Sequence, residues 1–278
     1  NTDVAEAALN LALEGGKGPV HLNIPIREPF YPRSLEKIII DTKGAPLRST
    51  TDGQAEITKE NNYKIEKLVW DEFESLLNAS EKVIVLGGQM SPNPELAHLL
   101  NQIDVPIVGD VISNLQGVED VIKSADLIFK TDDESLMPDF LVTLGRSVIS
   151  KNLKLYLRKH KPKVHWHIGL GMVGNPFQSL TKTVAISPEV FLQEWIEKKQ
   201  KNRLATKGTE ITKKLNDKSA YFSSLLDQQK MVNEKLRSLL EESDFNYFSA
   251  VKKVIQDLPK NSVLHLGNSM PVRIANFI

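Results

Sequence analysis

Two polar residues near the end of the sequence have types and spacing that could bind an anion. Ser269 and Arg273 follow the apolar run VLHLG (263–267) and lie four positions apart. If a helix begins there, residues with this spacing share one of its faces. A hydroxyl, the unpaired amides of a helix start and a guanidinium together suit a carboxylate or phosphate. The spacing fits a plain helix cap beside a surface arginine as well, so both interpretations remain open.

A lysine elsewhere in the chain suggests similar chemistry. Lys151 stands in the first turn of the predicted helix SKNLKLYLRKH (150–160), directly after a predicted strand. A cation at this end opposes the helix dipole, which favours negative charge there. The misfit indicates a partner anion for Lys151, although a solvated surface lysine is the default interpretation.

Two further patterns could bind a metal or a nucleotide. His165 and His167 alternate in VHWHIG and could share one strand face, but without an evident third ligand we interpret them as core or surface residues. The turn LGGQM (86–90) lies between a strand and a helix, as phosphate-binding turns do, although it lacks the G-x-G-x-x-G spacing. Asp110 ends VPIVGD about twenty residues later, which keeps a dinucleotide site as an alternative.

The elements that would position these residues alternate between strand and helix from about residue 63 to 198. Short β-branched runs ended by glycine or polar residues predict five strands, KVIVLGG, VPIVGD, DFLVTLG, KVHWHIG and TVAIS. Amphipathic segments such as KIEKLVWDEFESLLN predict the helices between them. Crossovers of this length predict an α/β fold with a doubly wound parallel sheet.

The segment after residue 199 has a different character. A lysine-rich polar stretch leads into two predicted helices, at about 221–241 and 245–257. NSVLHLGNS (261–269) then predicts one more strand, which turns into a helix at MPVRIANFI. This pattern is typical of the opening of another α/β domain.

The beginning of the chain predicts the end of an earlier domain. Residues 3–14 have helical spacing, GPVHLNIP (18–25) predicts a short strand, and the polar stretch 34–62 predicts a linker. The first residue is Asn1, and the helical pattern starts almost at once. We therefore expect the chain to be a fragment of something longer.

Composition excludes several classes of function. Thirty-five basic side chains balance 35 acidic ones, so no overall field attracts nucleic acid or an anionic membrane. The absence of cysteine excludes disulfides, thiolate metal sites and cysteine nucleophiles. No apolar run is long enough to predict a membrane span. We expect a globular protein of the cytoplasm.

Several strings together resemble one enzyme family. They are similar, in the same order, to stretches of the 2-succinyl-5-enolpyruvyl-6-hydroxy-3-cyclohexene-1-carboxylate synthases, the MenD family of menaquinone biosynthesis. The strings are GPVHLNIPIREPFYP (18–32), VIVLGGQMSPNPELAHLLNQIDVPIVGDVISNLQG (83–117), LVTLGRSVISKNLKLYL (141–157) and LHLGNSMPVR (264–273).

The resemblance implies a thiamine diphosphate enzyme with three α/β domains in series. Residues 1–33 would be the end of the pyrimidine-binding domain, 34–62 a linker and 63–198 the central domain. Residues 199–278 would be linker helices and the start of the diphosphate-binding domain. The family joins 2-oxoglutarate to isochorismate with loss of carbon dioxide, and the full-length enzyme is expected to be a homodimer or higher homo-oligomer.

The resemblance also assigns roles to particular residues. It gives Ser269, Arg273 and Lys151 contacts with the dicarboxylate substrates, and it places no catalytic, cofactor-binding or metal-binding residue in this chain. GDVISN (109–114) is similar to the family's magnesium and diphosphate motif only superficially, because its asparagine follows far too soon. Some relatives carry arginine where this chain has Asn152, so the number of cations around one carboxylate is open.

Three hypotheses follow. The first is a MenD-like fragment that alone binds neither thiamine diphosphate nor magnesium and is inactive. The second is the central domain of another thiamine diphosphate enzyme, such as an acetolactate synthase relative, although small 2-oxo acids need fewer cations. The third is a non-catalytic nucleotide-binding domain that uses LGGQM.

Overall fold

A computed structural model describes most of the chain after residue 64. The described residues are 65–170, 174–205, 209–241, 244–259 and 262–278, together with 7 and 10–12. The chain divides into two compact units, 1–64 and 65–278. In the first unit the few described residues are helical, as predicted for 3–14, whereas the predicted strand 18–25 and linker 34–62 lie outside the described residues.

The second unit is built on a five-stranded sheet in which every neighbouring pair is parallel. The order is β2-β1-β3-β4-β5, so the chain winds outward from β1 in both directions. This confirms the predicted α/β fold with a doubly wound parallel sheet. The strands are β1 (Val83–Gly87), β2 (Ile107–Gly109), β3 (Phe140–Leu144), β4 (Val164–Ile168) and β5 (Lys182–Val184).

Helices cover both faces of the sheet. Successive residues of β3 pack against helices on opposite faces of the sheet. Phe140 and Val142 pack on one face, with α1, α2 and α5. Leu141 packs on the other face, with α3, α4 and α6. Strands buried on both faces have continuous apolar runs, as the sequence has here. The helices are α1 (Lys67–Ala79), α2 (Pro94–Leu100), α3 (Ala125–Ile128), α4 (Lys151–Lys159), α5 (Pro188–Ala205), α6 (Thr209–Glu241), α7 (Tyr247–Gln256) and α8 (Met270–Ala275).

In the segment after residue 199, the described residues of the lysine-rich stretch are helical, since 199–205 end α5 and 209–220 open α6. Lysine, glutamate and glutamine form helices readily. The predicted strand at 261–269 does not form, since residues 262–267 have no regular secondary structure and Val263 is 80% exposed. Alternating apolar residues make a strand only where a neighbouring strand offers ladder partners.

Candidate functional site

The helix that begins at Lys151 is bonded at its start to a buried carboxylate, at the carboxyl edge of the sheet. Asp110 follows β2 directly and is 5% exposed. Its Oδ2 accepts hydrogen bonds from the backbone amides of Ile149 and Ser150, at 2.5 and 3.2 Å, and its Oδ1 accepts from the Ser150 hydroxyl. Ser150 immediately precedes α4, so Asp110 fixes the point at which the Lys151 helix begins.

A second carboxylate binds the first turn of the same helix. Asp126 Oδ1 accepts from the Asn152 backbone amide at 2.8 Å, and the Asn152 side-chain amide donates to the Asp126 carbonyl at 2.8 Å. Two protein carboxylates thus supply negative charge at the start of this helix, where the sequence indicates a partner anion. The protein's own carboxylates therefore compensate the positive charge of Lys151 at the helix start. The position of Lys151 alone is no longer evidence for a bound ligand. Asn152 ties α4 to α3.

The segment with Ser269 and Arg273 docks onto the same edge. Val272, Ile274 and Ala275 of α8 are buried. Asn276, which caps the end of α8 and is 6% exposed, accepts a hydrogen bond from the Val111 amide at 2.7 Å. The Asp110 carboxylate thus bonds the start of the Lys151 helix, and the backbone amide of the next residue, Val111, bonds the end of the Arg273 helix.

Ser269 is the N-cap residue of α8, as predicted, but it does not cap the helix with its side chain. Its hydroxyl makes no capping hydrogen bond, so the predicted cap is wrong in its chemistry. Its backbone has φ 76° and ψ −127°, which is a costly conformation for a residue with a side chain. The amide of Ser269 is satisfied by the side chain of Asn268, at 2.8 Å.

The three predicted contact residues share one property. Lys151, Ser269 and Arg273 are all exposed, and within the described ranges their side-chain polar groups make no hydrogen bond or ion pair. Their polar neighbours behave differently, because Asp110, Asn152 and Asn276 are all engaged. No direct contact joins Lys151 to Arg273 in the described structure; their elements are linked through Asp110 and Val111.

The alternative nucleotide site loses its donors to internal hydrogen bonds. The amides of Gly88 and Gln89 donate to the carbonyls of Leu144 and Ser147, both at 2.8 Å, and Met90 donates to Ile112. A Cβ on Gly88 would lie 2.1 Å from the Arg146 carbonyl oxygen, so the loops after β1 and β3 fill the crevice between those strands. The LGGQM turn has no amide left there for a phosphate.

The polar residues of GDVISN (109–114) make hydrogen bonds that stabilise the fold. Asp110 is engaged with the start of α4, and the Asn114 side-chain amide donates to the Met90 carbonyl at 2.6 Å. No group of three or more histidine, aspartate or glutamate residues suited to a metal occurs in the described part of the chain.

His165 and His167 are core residues, as interpreted. Both lie on one face of β4, and each ring is 3.0 Å from the Thr143 hydroxyl. The other ring nitrogen of His165 is 3.2 Å from the Ser179 hydroxyl. Burial lowers the pKa of His165 from 6.5 to about 4, with a smaller contribution from His167, and burial also lowers the pKa of His167.

We expect this histidine pair to make folding sensitive to acid. His165 binds its proton more weakly in the folded chain than in the unfolded chain, so its contribution to stability is complete above pH 6.5 and is lost as the pH falls toward 4. The free energy of unfolding should fall by about 1.4 kcal/mol per pH unit in that window. Urea unfolding at stepped pH measures the slope. A flat profile, or an NMR titration of His165 near 6.5, would contradict the prediction.

No pattern in the sequence points to Asp126 or Asn276. Each is hydrogen-bonded to a residue that is distant in the sequence. The one available signal for Asn276 is its place three residues after Arg273 in MPVRIANFI.

The sequence was compared with known proteins. No protein-family model matches it. It is 31% identical over 271 residues to the 2-succinyl-5-enolpyruvyl-6-hydroxy-3-cyclohexene-1-carboxylate synthase of Cytophaga hutchinsonii, and 32% identical over 268 residues to that of Flavobacterium psychrophilum. The same synthase of Bacteroides thetaiotaomicron is 27% identical over 278 residues.

These matches cover 93–94% of the chain but only 42–43% of each relative. The chain therefore spans less than half the length of the curated relatives that it matches. None of the described helices is long and apolar enough to cross a membrane. The chain is MenD-like: over nearly its whole length it is related to the 2-succinyl-5-enolpyruvyl-6-hydroxy-3-cyclohexene-1-carboxylate synthases.

Proposed function

We propose that this chain is part of a thiamine diphosphate-dependent synthase that decarboxylates 2-oxoglutarate and adds the resulting succinyl unit to isochorismate. Within it, Lys151, Ser269 and Arg273 bind substrate carboxylates. The enzyme would serve menaquinone biosynthesis in the cytoplasm, as a homodimer or higher homo-oligomer. The names of the curated relatives support the reaction class.

One observation supports the assignment of these residues above the others. Their side chains are exposed and unengaged within the described ranges, while the side chain of Asp110, bonded to the start of α4, and that of Asn276, at the end of α8, are hydrogen-bonded within the protein. A lysine and an arginine kept free of protein carboxylates can donate charge-assisted hydrogen bonds to a dicarboxylate. The conformation of Ser269 also supports a functional role, because costly backbone conformations concentrate at functional sites.

Two turns that could have held the cofactor's magnesium and diphosphate are engaged in internal hydrogen bonds. The Asp110 carboxylate accepts from the start of α4, the Asn114 side-chain amide donates to the Met90 carbonyl, and the amides of residues 88–90 donate to backbone carbonyls. Thiamine diphosphate would supply the carbon–carbon chemistry in the full-length enzyme. We assign to this chain only the binding and orientation of substrate. That the chain alone binds no cofactor and is inactive stays a prediction.

Replacing Lys151 tests the proposal in the full-length enzyme. Lys151→Met keeps the length of the side chain and removes its charge, so KM for one of the two dicarboxylates should rise about tenfold or more. Lys159→Met is the matched control, because Lys159 lies at the other end of α4, paired with Asp132 at 2.7 Å. Equal KM values for Lys151→Met and the wild type, with both substrates varied, would remove Lys151 from the site.

A further inference from the structure

The backbone segment Asp110–Val111 is the one place where the described structure connects the Lys151 helix to the Arg273 helix by hydrogen bonds. We call it the 110–111 junction. The Asp110 carboxylate accepts from the two residues that precede Lys151, and the Val111 amide donates to Asn276, three residues after Arg273. Both connections are made by buried side chains, Asp110 and Asn276.

The junction is itself held tightly. The Asp110 carbonyl accepts from the Ser113 amide at 2.9 Å and from the Ser113 hydroxyl at 2.5 Å. Asn114, with φ 53°, reaches across to the Met90 carbonyl. At Gly109 an added Cβ would lie 2.6 Å from the Ser113 hydroxyl, so the turn closes directly onto the end of β2. A shift of either helix at its bonded end would break at least one of these hydrogen bonds.

A dicarboxylate makes such a connection useful. Its two carboxylates are separated by a short carbon chain, so the cations that bind them must stand at a matching separation. Lys151 and Arg273 have flexible side chains and lie on two different helices. Both helices are hydrogen-bonded to the 110–111 junction, which therefore fixes the positions of the two backbones relative to each other. Binding depends on the supporting residues that hold the contact residues in position as well as on the contact residues themselves.

We propose that Asp110 and Asn276 are positioning residues, which set the separation of Lys151 and Arg273 through the 110–111 junction and thereby select dicarboxylate substrates. The inference rests on the proposed function, because it takes Lys151 and Arg273 to be the contacts. Neither Asp110 nor Asn276 touches substrate. Each acts through a neighbour.

The test uses variants of the full-length enzyme. Asp110→Ala and Asn276→Leu should each raise KM for a dicarboxylate about tenfold, and should raise KM more than they lower kcat. Asp110→Asn keeps an acceptor for the two amides and can donate to the Ser150 hydroxyl, so it should restore KM to near the wild-type value. Asn276→Asp keeps the oxygen that accepts from Val111 and should do the same. A rescue variant as impaired as its parent would overturn the hydrogen-bonded placement.

Two control residues, an aspartate and an asparagine, accept hydrogen bonds from backbone amides away from the site. Asp139 accepts from the amides of Glu81 and Lys82, at 3.2 and 3.1 Å, before β3 begins. Asn101 caps the end of α2 and accepts from the Glu119 amide at 2.8 Å. Asp139→Ala and Asn101→Leu should lower thermal stability without raising KM. If they raise KM as much as Asp110→Ala and Asn276→Leu do, the effect is general destabilisation and the proposal is overturned.

Double variants separate this inference from the proposed function. If Asn276 acts through Arg273, Asn276→Leu should add no further rise in KM to Arg273→Ala. Independent, multiplying effects would overturn positioning while leaving Arg273 in the site. If Arg273→Ala leaves both KM values unchanged, the proposed contact fails first, and with it the positioning role. Asp110→Ala combined with Lys151→Met provides the same test if Asn276→Leu does not fold.

Discussion

Replacing Phe73 by alanine is expected to cost about 4 kcal/mol of the free energy of unfolding. Phe73 lies on α1, is fully buried, and packs against aromatic rings from three other elements of the same face. Its ring centroid is 4.9 Å from that of Phe191 and 5.0 Å from that of Trp195. Phe140 and Trp166 of the sheet lie at 5.6 Å, and Trp70 of α1 itself lies at 5.5 Å.

The cost is high because the neighbours cannot close the cavity. Rings held by the sheet on one side and α5 on the other relax little, so both transfer energy and packing contacts are lost. Urea unfolding of the 278-residue chain measures the change. Phe245→Ala is the control, since Phe245 is 82% exposed and its loss should be close to neutral. A loss for Phe73→Ala below about 1 kcal/mol would show that this face is not the core.

Replacing Arg273 by alanine in the full-length enzyme should raise KM for a dicarboxylate, or lower turnover, by about tenfold or more. Arg273 is exposed, and within the described ranges no carboxylate neutralises it. Loss of a charge-assisted hydrogen bond to substrate therefore leaves no compensating partner. The backbone should be unaffected, because α8 is anchored by Val272 and Ile274 rather than by the guanidinium.

Steady-state kinetics with each substrate varied in turn measure this effect. Arg237→Ala is the control, an arginine of the same exposed kind on α6. It should change neither KM. Unchanged kinetics for both substrates in Arg273→Ala would exclude Arg273 from the site.

The central sheet could be predicted from the sequence because its signals are local. VIVLG is apolar throughout and FLVTL is apolar except at Thr143, which indicates strands buried on both faces, and the helical crossovers between the strands indicate that they run parallel. The strand predicted at 261–269 failed because ladder partners are a tertiary property. A run such as VLHLG carries the propensity but cannot show what lies beside it.

The residues of the candidate site could be predicted from the sequence, but the hydrogen bonds that hold them could not. Lys151 was correctly placed at the start of a helix, but its dipole misfit is answered by Asp110 and Asp126, which no local pattern connects to it. Ser269 was correctly placed at the start of α8, yet its hydroxyl does not cap the helix. Long-range hydrogen bonds decide such details, and spacing does not encode them.

The most direct measurement is a crystal structure of the full-length enzyme with 2-oxoglutarate bound. We predict a substrate carboxylate within about 3 Å of the Arg273 guanidinium or the Lys151 ammonium. We also predict that the Asp110 and Asn276 hydrogen bonds stay in place. A dicarboxylate bound elsewhere, with both cations turned to solvent, would contradict the proposed substrate contacts.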